Sequence, residues 1–360
     1  MIDDALVERE CERWEVPALV LGLLDGGETV VRAFGEARAD DRFHVASLTK
    51  PMVADACFEL GVPLDEPLWE DCTLRHCLAH RTGIDGEPED PLRFGSGDDA
   101  TERIVGEVGT LRRWEPAPAL WSYSNVGYWL AGLECSRRAD ATFEDTLARR
   151  VFAPFGMGDT SFEGATFAGL GEEYPRARRP SGGVVSTARD LLRFAERHLE
   201  PHPSHERQTE AIDTDWALGW GCTRAFVYHP GNWGGYTSLL LVPTERRWAL
   251  VVLTNAESGT NAISAIVDEL LGRERPPRGE APLEDYTGTY RRQGAQVTFR
   301  SMEGGLEAES LEARGRAYRV WGYPVSPTRF FIPDGDGRGS SFDFPRPGFT
   351  RFGSRLAERD

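Results

Sequence analysis

The chain has 360 residues, 40% of them hydrophobic, which suits two or three compact units at roughly 150 residues per domain. Acidic residues number 58 against 41 basic ones, for a formal charge of -17, and no basic stretch interrupts the acidic background. Nucleic acid and anionic membrane are thereby excluded as partners. No run of about 18 apolar residues could span a bilayer, and Met1-Ile2-Asp3-Asp4-Ala5 places acids where a secretory leader carries bases, so a cytoplasmic protein is expected.

Six cysteines (Cys11, Cys57, Cys72, Cys77, Cys135, Cys222) form no CxxC pair and read as reduced, buried thiols. Of the 41 basic residues, Lys50 alone is lysine. Arginine cannot be deprotonated in a protein, whereas burial or a neighbouring positive charge tunes a lysine amine toward neutrality. A lone lysine among arginines points to a task that arginine cannot perform.

An amphipathic helix is expected from about Asp3 to Trp14. Strands follow over Ala18 to Leu24 and Glu28 to Phe34, hinged at Asp25-Gly26-Gly27. The apolar stretch Pro51 to Leu60 before Gly61 reads as a buried helix; Pro51 fits only its first turn, so the helix starts near residues 47–49. Helical periodicity marks Leu74 to Ala79, Ala100 to Val108, Gly127 to Ser136, Thr142 to Val151 and Ala188 to His198. The acidic, partly irregular stretch from Gly83 to Trp121 reads as a lip, a lid or a plain surface loop. Strands return at Ser238 to Val242 and Trp248 to Thr254 around a turn at Pro243 to Arg246, and a helix spans about Asn261 to Leu271. Gly272 to Pro282 has linker composition, followed by short strands and turns from Tyr286. The expected division is 1–275, with a helical lobe at about 62–185 between sheet segments, and a small β-rich domain at 283–360.

Three constellations carry chemistry. In Ser47-Leu48-Thr49-Lys50 the two polar ends share one helical face, so a neutral amine can take the serine proton, while the helix start favours a developing oxyanion. Alone this is weak, because 18 serines in 360 residues put one three positions before a given lysine about one time in twenty. Tyr123-Ser124-Asn125 offers a phenol for proton relay and an amide for positioning. His229-Pro230-Gly231, with Asn232, Trp233, Gly234 and Gly235 after it, offers glycines for close approach of a substrate and a backbone N–H for an oxyanion hole.

In order and spacing the three elements resemble the S-x-x-K, Y-x-N and K-T-G or H-x-G motifs of serine β-lactamases, penicillin-binding proteins and related esterases and D-aminopeptidases. Leu74 to Ile84, Ala153 to Thr160, Pro180 to Asp190 and Leu218-Gly219-Trp220 are similar to further segments of that family. The resemblance implies an α+β, serine β-lactamase-like fold: an antiparallel sheet flanked by helices, an all-helical lobe, and the site between them, with the β-rich tail as a small barrel-like domain. It implies Ser47 as nucleophile, Lys50 and Tyr123 as acid and base, Asn125 and His229 as positioning groups, and Ser47 and Asn232 as backbone oxyanion donors beside Gly231. Substrates would be small esters, amides or β-lactams, with no metal and no cofactor. His229 stands where penicillin-recognising members usually carry a lysine, and as a partly charged group it shifts the expectation toward esters or amides lacking a carboxylate. A β-lactamase or DD-peptidase is the alternative, and a silent scaffold is the reading of another class.

Trp121 and Trp233 are expected at the pocket wall, with Trp114 and Trp220 less so. His76 and His80, at i,i+4 on a helix, and His198, His202 and His205 are read as structural or solvated histidines rather than metal ligands. Asp334-Gly335-Asp336-Gly337-Arg338 resembles a calcium loop only superficially and reads as a tight turn.

Overall fold

The computed structural model describes residues 2–167, 174–206, 208, 215–244, 247–312, 317–335 and 337–360. Helix α1 (Asp4–Arg13) is capped by Asp3, whose carboxylate accepts from the Ala5 N–H. Strands β1 (Ala18–Asp25) and β2 (Glu28–Gly35) form the expected hairpin, turned by Gly26 and Gly27 at positive φ. Two short pairings follow, β3 (Phe43–His44) with β6 (Val185–Ser186) and β4 (Pro67–Trp69) with β5 (Cys72–Thr73). Among them lie helices α2 (Thr49–Glu59), α3 (Leu74–Leu78), α4 (Ala100–Gly106), α5 (Val126–Ala139), α6 (Phe143–Leu147) and α7 (Arg179–Gly182). Helix α8 (Ala188–Arg197) leads back to the sheet, which continues as β7 (Asp215–Trp216), β8 (Gly221–Cys222), β9 (Phe226–Trp233), β10 (Tyr236–Pro243) and β11 (Trp248–Thr254), with α9 (Gly259–Leu271) last.

The sheet is antiparallel in the order β2-β1-β11-β10-β9-β8-β7. Its central strands are apolar on both sides, as strands covered on two faces must be. Leu19, Leu21, Leu239, Leu241 and Val252 pack toward α1 and α9, while Val20, Leu240, Val251 and Leu253 pack toward α2 and α8. The interposed helices form the expected helical lobe.

Beyond α9, strands β12 (Gly288–Arg292), β13 (Ala295–Met302), β14 (Gly305–Glu312), β15 (Ala317–Ser326), β16 (Arg329–Phe331), β17 (Ser341–Arg346), β18 (Phe349–Phe352) and β19 (Arg355–Arg359) close into an eight-stranded barrel. Closure leaves no free edge. Phe299, Phe330, Phe342, Phe344 and Phe352 fill its interior, with the rings of Phe330 and Phe342 stacked at 5.1 Å.

Three readings are corrected or narrowed by the structure, and a fourth lies partly outside the described residues. The β9 strand was hidden by Pro230 and Gly231, both poor strand residues; Pro230 is tolerated because β8 stops pairing with β9 at Tyr228, so no neighbour needs its missing N–H. Helix α3 ends at Leu78, and His80 lies beyond it at φ 56°, so His76 and His80 do not share a helical face. The Gly83 to Trp121 stretch is not a lid: Asp85 accepts from the Gln293 N–H, Glu115 pairs with Arg346, Arg112 with Glu358, and Trp114 packs edge-on against Phe349, so the barrel pins it down. The turn beginning at Pro243 falls partly outside the described residues, as does Asp336; the neighbouring Asp334 is exposed and paired with Arg275, which fits a surface turn.

Candidate active site

Ser47 sits in a 3-10 turn, Ala46–Leu48, that runs directly into α2. Ala46 is held at φ 48°, a conformation that costs energy for a residue with a Cβ and recurs at functional sites. The turn lies against β9 and β10: Ser238 Oγ donates to Val45 O at 2.9 Å, and the Val45 N–H donates to Val184 O at 3.0 Å. A Cβ on Gly231 would stand 2.3 Å from Val45 O and 3.2 Å from Ser47 N. Glycine is therefore required there for the strand to pass beside Ser47.

Lys50 Nζ is 3.0 Å from Ser47 Oγ and donates to Ser181 O at 2.6 Å. The side chain is wholly buried, and that burial holds the amine well below its usual range; Glu87 opposes the shift, while Arg355 and Arg178 add to it. Tyr123 OH donates to Ser47 Oγ at 2.9 Å, so the serine oxygen lies between amine and phenol. Burial pushes the Tyr123 hydroxyl above its usual range, which keeps it protonated.

The sequence missed what holds Tyr123. His80 stacks on its ring at 4.2 Å, and His80 Nδ1 accepts from the Ser124 N–H at 3.0 Å. Burial keeps His80 neutral, with Lys50 and His229 adding to the effect. His76 instead caps α3 through Thr73. On the other side the barrel takes hold. The Tyr123 N–H donates to Ser354 O at 2.9 Å, the Leu356 N–H donates to Ser122 Oγ at 3.1 Å, and Arg351 donates to Trp121 O at 3.3 Å.

Asn125 Nδ2 donates to Glu87 Oε1 at 2.7 Å, so its visible bond is to an acid rather than to Lys50. Glu87 also pairs with Arg178 at 2.6 Å and with Arg355 at 3.0 Å. Burial raises its carboxyl, but the two guanidiniums outweigh that and bring it down to about 2. Two cations about one anion leave a net positive charge beside the site. His229 is buried and its basicity is lowered to about 3 by burial and by Lys50, so it is neutral rather than partly charged. A neutral His229 carries no cation at the third motif; the guanidiniums near the site are those of Arg178 and the barrel's Arg355, both paired with Glu87.

Asn232 is exposed on β9, its amide near Thr237. Trp233 packs on Tyr174 at 4.8 Å and lies beneath Arg178. Trp121 is buried against His80 and Trp216 and lines a cavity of about 530 Å³ between sheet and barrel. Trp114 belongs to the barrel contact and Trp220 to the core beside Phe194, so neither lines the site. Glu87, Arg178, Ser181 and Arg355 are site residues that the sequence did not single out, and His80 is read there only as a structural or solvated histidine. His80 and Ser181 lie within family-like segments, whereas nothing local marked Glu87 or Arg355.

The sequence pattern of the Beta-lactamase family matches residues 6–271. The chain is 27% identical to penicillin-binding protein 4 of Amycolatopsis lactamdurans over 77% of its length and 81% of the relative's. It is 25% identical to penicillin-binding protein 4* of Bacillus subtilis over 91% and 90%. Among solved structures, SurE with D-Leu covers 99% of this chain and 98% of its own, at TM-score 0.76 and 20% identity. The D-amino acid amidase of Ochrobactrum anthropi with D-phenylalanine covers 74% and 97%, at TM-score 0.62 and 22% identity. This chain belongs to the Beta-lactamase family, and its fold is the β-lactamase-like fold with a carboxy-terminal barrel.

Proposed function

We propose that the chain is a serine hydrolase of small amides or esters, acting through an acyl-enzyme on Ser47. The observation that carries this is Ser47 Oγ lying 3.0 Å from the buried amine of Lys50 and 2.9 Å from Tyr123 OH. With Lys50 neutral, the Ser47 proton passes to its lone pair as Oγ attacks a carbonyl. Tyr123, still protonated, holds Oγ from the other side and relays a proton to the leaving group. Water then cleaves the acyl-enzyme by the same groups in reverse. Ser47 N–H and Asn232 N–H serve as oxyanion donors. In support, Trp233 and Tyr236 flank a two-residue turn at Gly234-Gly235, so ladder alternation turns the Asn232 N–H away from β10.

Asn125, Gly231 and neutral His229 position substrate, and Trp233 walls one flank with Arg178 above it. The names of relatives support an amide or peptide-like substrate, since they include a D-amino acid amidase, a D-stereospecific amidohydrolase and penicillin-binding proteins. The working division is 1–275 for the hydrolase unit and 283–360 for the barrel. A cytoplasmic location is part of the same reading, supported by six cysteines that are all free and buried; no helix among the described residues is long and apolar enough to cross a membrane.

The test is incubation of wild type and Ser47→Ala with p-nitrophenyl acetate, D-phenylalanine amide, a D-alanyl peptide and nitrocefin, following product and intact mass. Turnover with a mass adduct on Ser47, both absent in Ser47→Ala, is expected, and the preferred substrate ranks amidase against β-lactamase or DD-peptidase. Absence of turnover and of any adduct, including with a fluorophosphonate, overturns the reading in favour of a silent binding member of the fold.

A further inference from the structure

Asp55 lies on α2 five residues after Lys50, is 1% exposed, and neither of its carboxylate oxygens has a hydrogen-bond partner. A buried carboxylate without donors is costly. It faces the segment that leaves α8. His198 Nε2 stands 3.1 Å from Asp55 Oδ2, and His202 Nδ1 stands 3.8 Å from Asp55 Oδ1. One ligand atom from each of the three residues falls within 4.8 Å of the other two. His198 is itself buried, and its Nε2, although close to Asp55, is off line for a hydrogen bond and has no other.

These separations resemble the edges of a coordination polyhedron. Bonds of about 2.0–2.2 Å to nitrogen and oxygen in a tetrahedral site put neighbouring ligands about 3.4 Å apart. The outer groups suit the same role. His198 Nδ1 is 3.0 Å from His205 Nε2, a partner that can hold the His198 proton on Nδ1 and leave Nε2 free to ligate. Trp220 covers the rings of His198 and His205 and donates to Ser204 Oγ at 3.2 Å. His202 Nδ1 accepts from the Ser204 N–H at 3.2 Å and touches Ser204 Oγ at 2.7 Å. An ion competes with those bonds, which makes His202 the weakest of the three ligands. Glu59 and Arg197 are the further charges facing His202.

We propose that Asp55, His198 and His202 bind one divalent transition cation of the zinc class, oriented through His205, which ties the end of α8 to α2, the helix that carries Lys50 and follows the Ser47 turn. Two imidazoles and one carboxylate select such an ion over calcium or magnesium, which prefer all-oxygen shells. The site is separate from Ser47, and its test is independent of hydrolysis.

Protein freed of any purification tag and stripped with EDTA is titrated with Zn2+ and Co2+ by calorimetry and visible absorption, with Ca2+ and Mg2+ as controls. One equivalent of Zn2+ or Co2+ should bind, with a tetrahedral cobalt spectrum free of thiolate bands and a rise in unfolding temperature. His202→Ala should lower affinity on the order of 100-fold and His205→Ala on the order of 10-fold; Asp55→Asn should abolish binding. If Asp55→Asn does not fold, the partly exposed His202 carries the test. Absence of saturable binding, binding unchanged in His202→Ala, or cobalt–thiolate bands overturns the proposal.

Discussion

The Tyr123 backbone N–H donates to Ser354 O at 2.9 Å, so a residue on the barrel fixes the phenol that faces Ser47. Arg355 follows Ser354 and reaches Glu87 at 3.0 Å. Replacing Arg355 with Ala leaves Glu87 with Arg178 and Asn125, removing one charge-assisted bond from a largely buried carboxylate. A stability loss of about 1.5–3 kcal/mol is expected, with a fall in kcat as the Tyr123 segment loosens. Urea unfolding and steady-state rates on one substrate check both; an unchanged kcat would show that the barrel contact does not position Tyr123.

Lys50 gives a pH prediction. Its folded pKa lies below its unfolded value, so the amine is neutral and basic only above that lowered pKa. The acylation rate should fall as pH drops through it. Lys50→Met, which keeps the length without a basic nitrogen, should reduce acylation by about 10²–10⁴-fold or more and erase this acid limb. Because the lysine pocket is fully enclosed, Lys50→Arg should also perturb folding, which makes Met the cleaner variant. Stopped-flow acylation across pH decides the matter.

Glu87 is shifted in the same direction, but here it is the charged form that the fold favours. Its folded pKa is held near 2, below the ordinary carboxylate value of 4.5, so its stabilising contribution is complete above pH 4.5 and disappears as pH falls toward 2. Wild type should lose stability across that window more steeply than Glu87→Gln. Thermal melts between pH 2.5 and 6 measure the difference.

Gly231→Ala places a Cβ against Val45 O at 2.3 Å. The strand or the Ser47 turn must shift, with an expected cost of about 1–3 kcal/mol and a lower acylation rate. Ordinary acylation in a folded variant would show that Gly231 does not set the approach of β9 to Ser47.

What was legible in the sequence was local. Ser47 and Lys50 are neighbours on one helical turn, so spacing alone brings them together, and the lone lysine marked which amine mattered. Most helices and the β1–β2 and β10–β11 strands followed from periodicity. Tyr123 entered through its motif, but its supports did not: Ser354 is 231 positions later, and the Glu87–Arg355 pair spans 268. Such partners are chosen by how the barrel docks, which no local pattern encodes. Nothing local joins His198 and His202 to Asp55, which lies 143 residues before His198 and meets it only once the chain folds.

The turn and strand that grip Tyr123 come after every other part of the site in chain order. A nascent chain can fold the sheet, the helical lobe and the Ser47 turn first, yet it reaches the arrangement described here only once residues 349–359 have been synthesised and docked. Hydrolytic competence then waits on the docking of the barrel, and a protease nicking the exposed segment between α9 and the barrel would act on a molecule whose chemistry depends on the two pieces staying together.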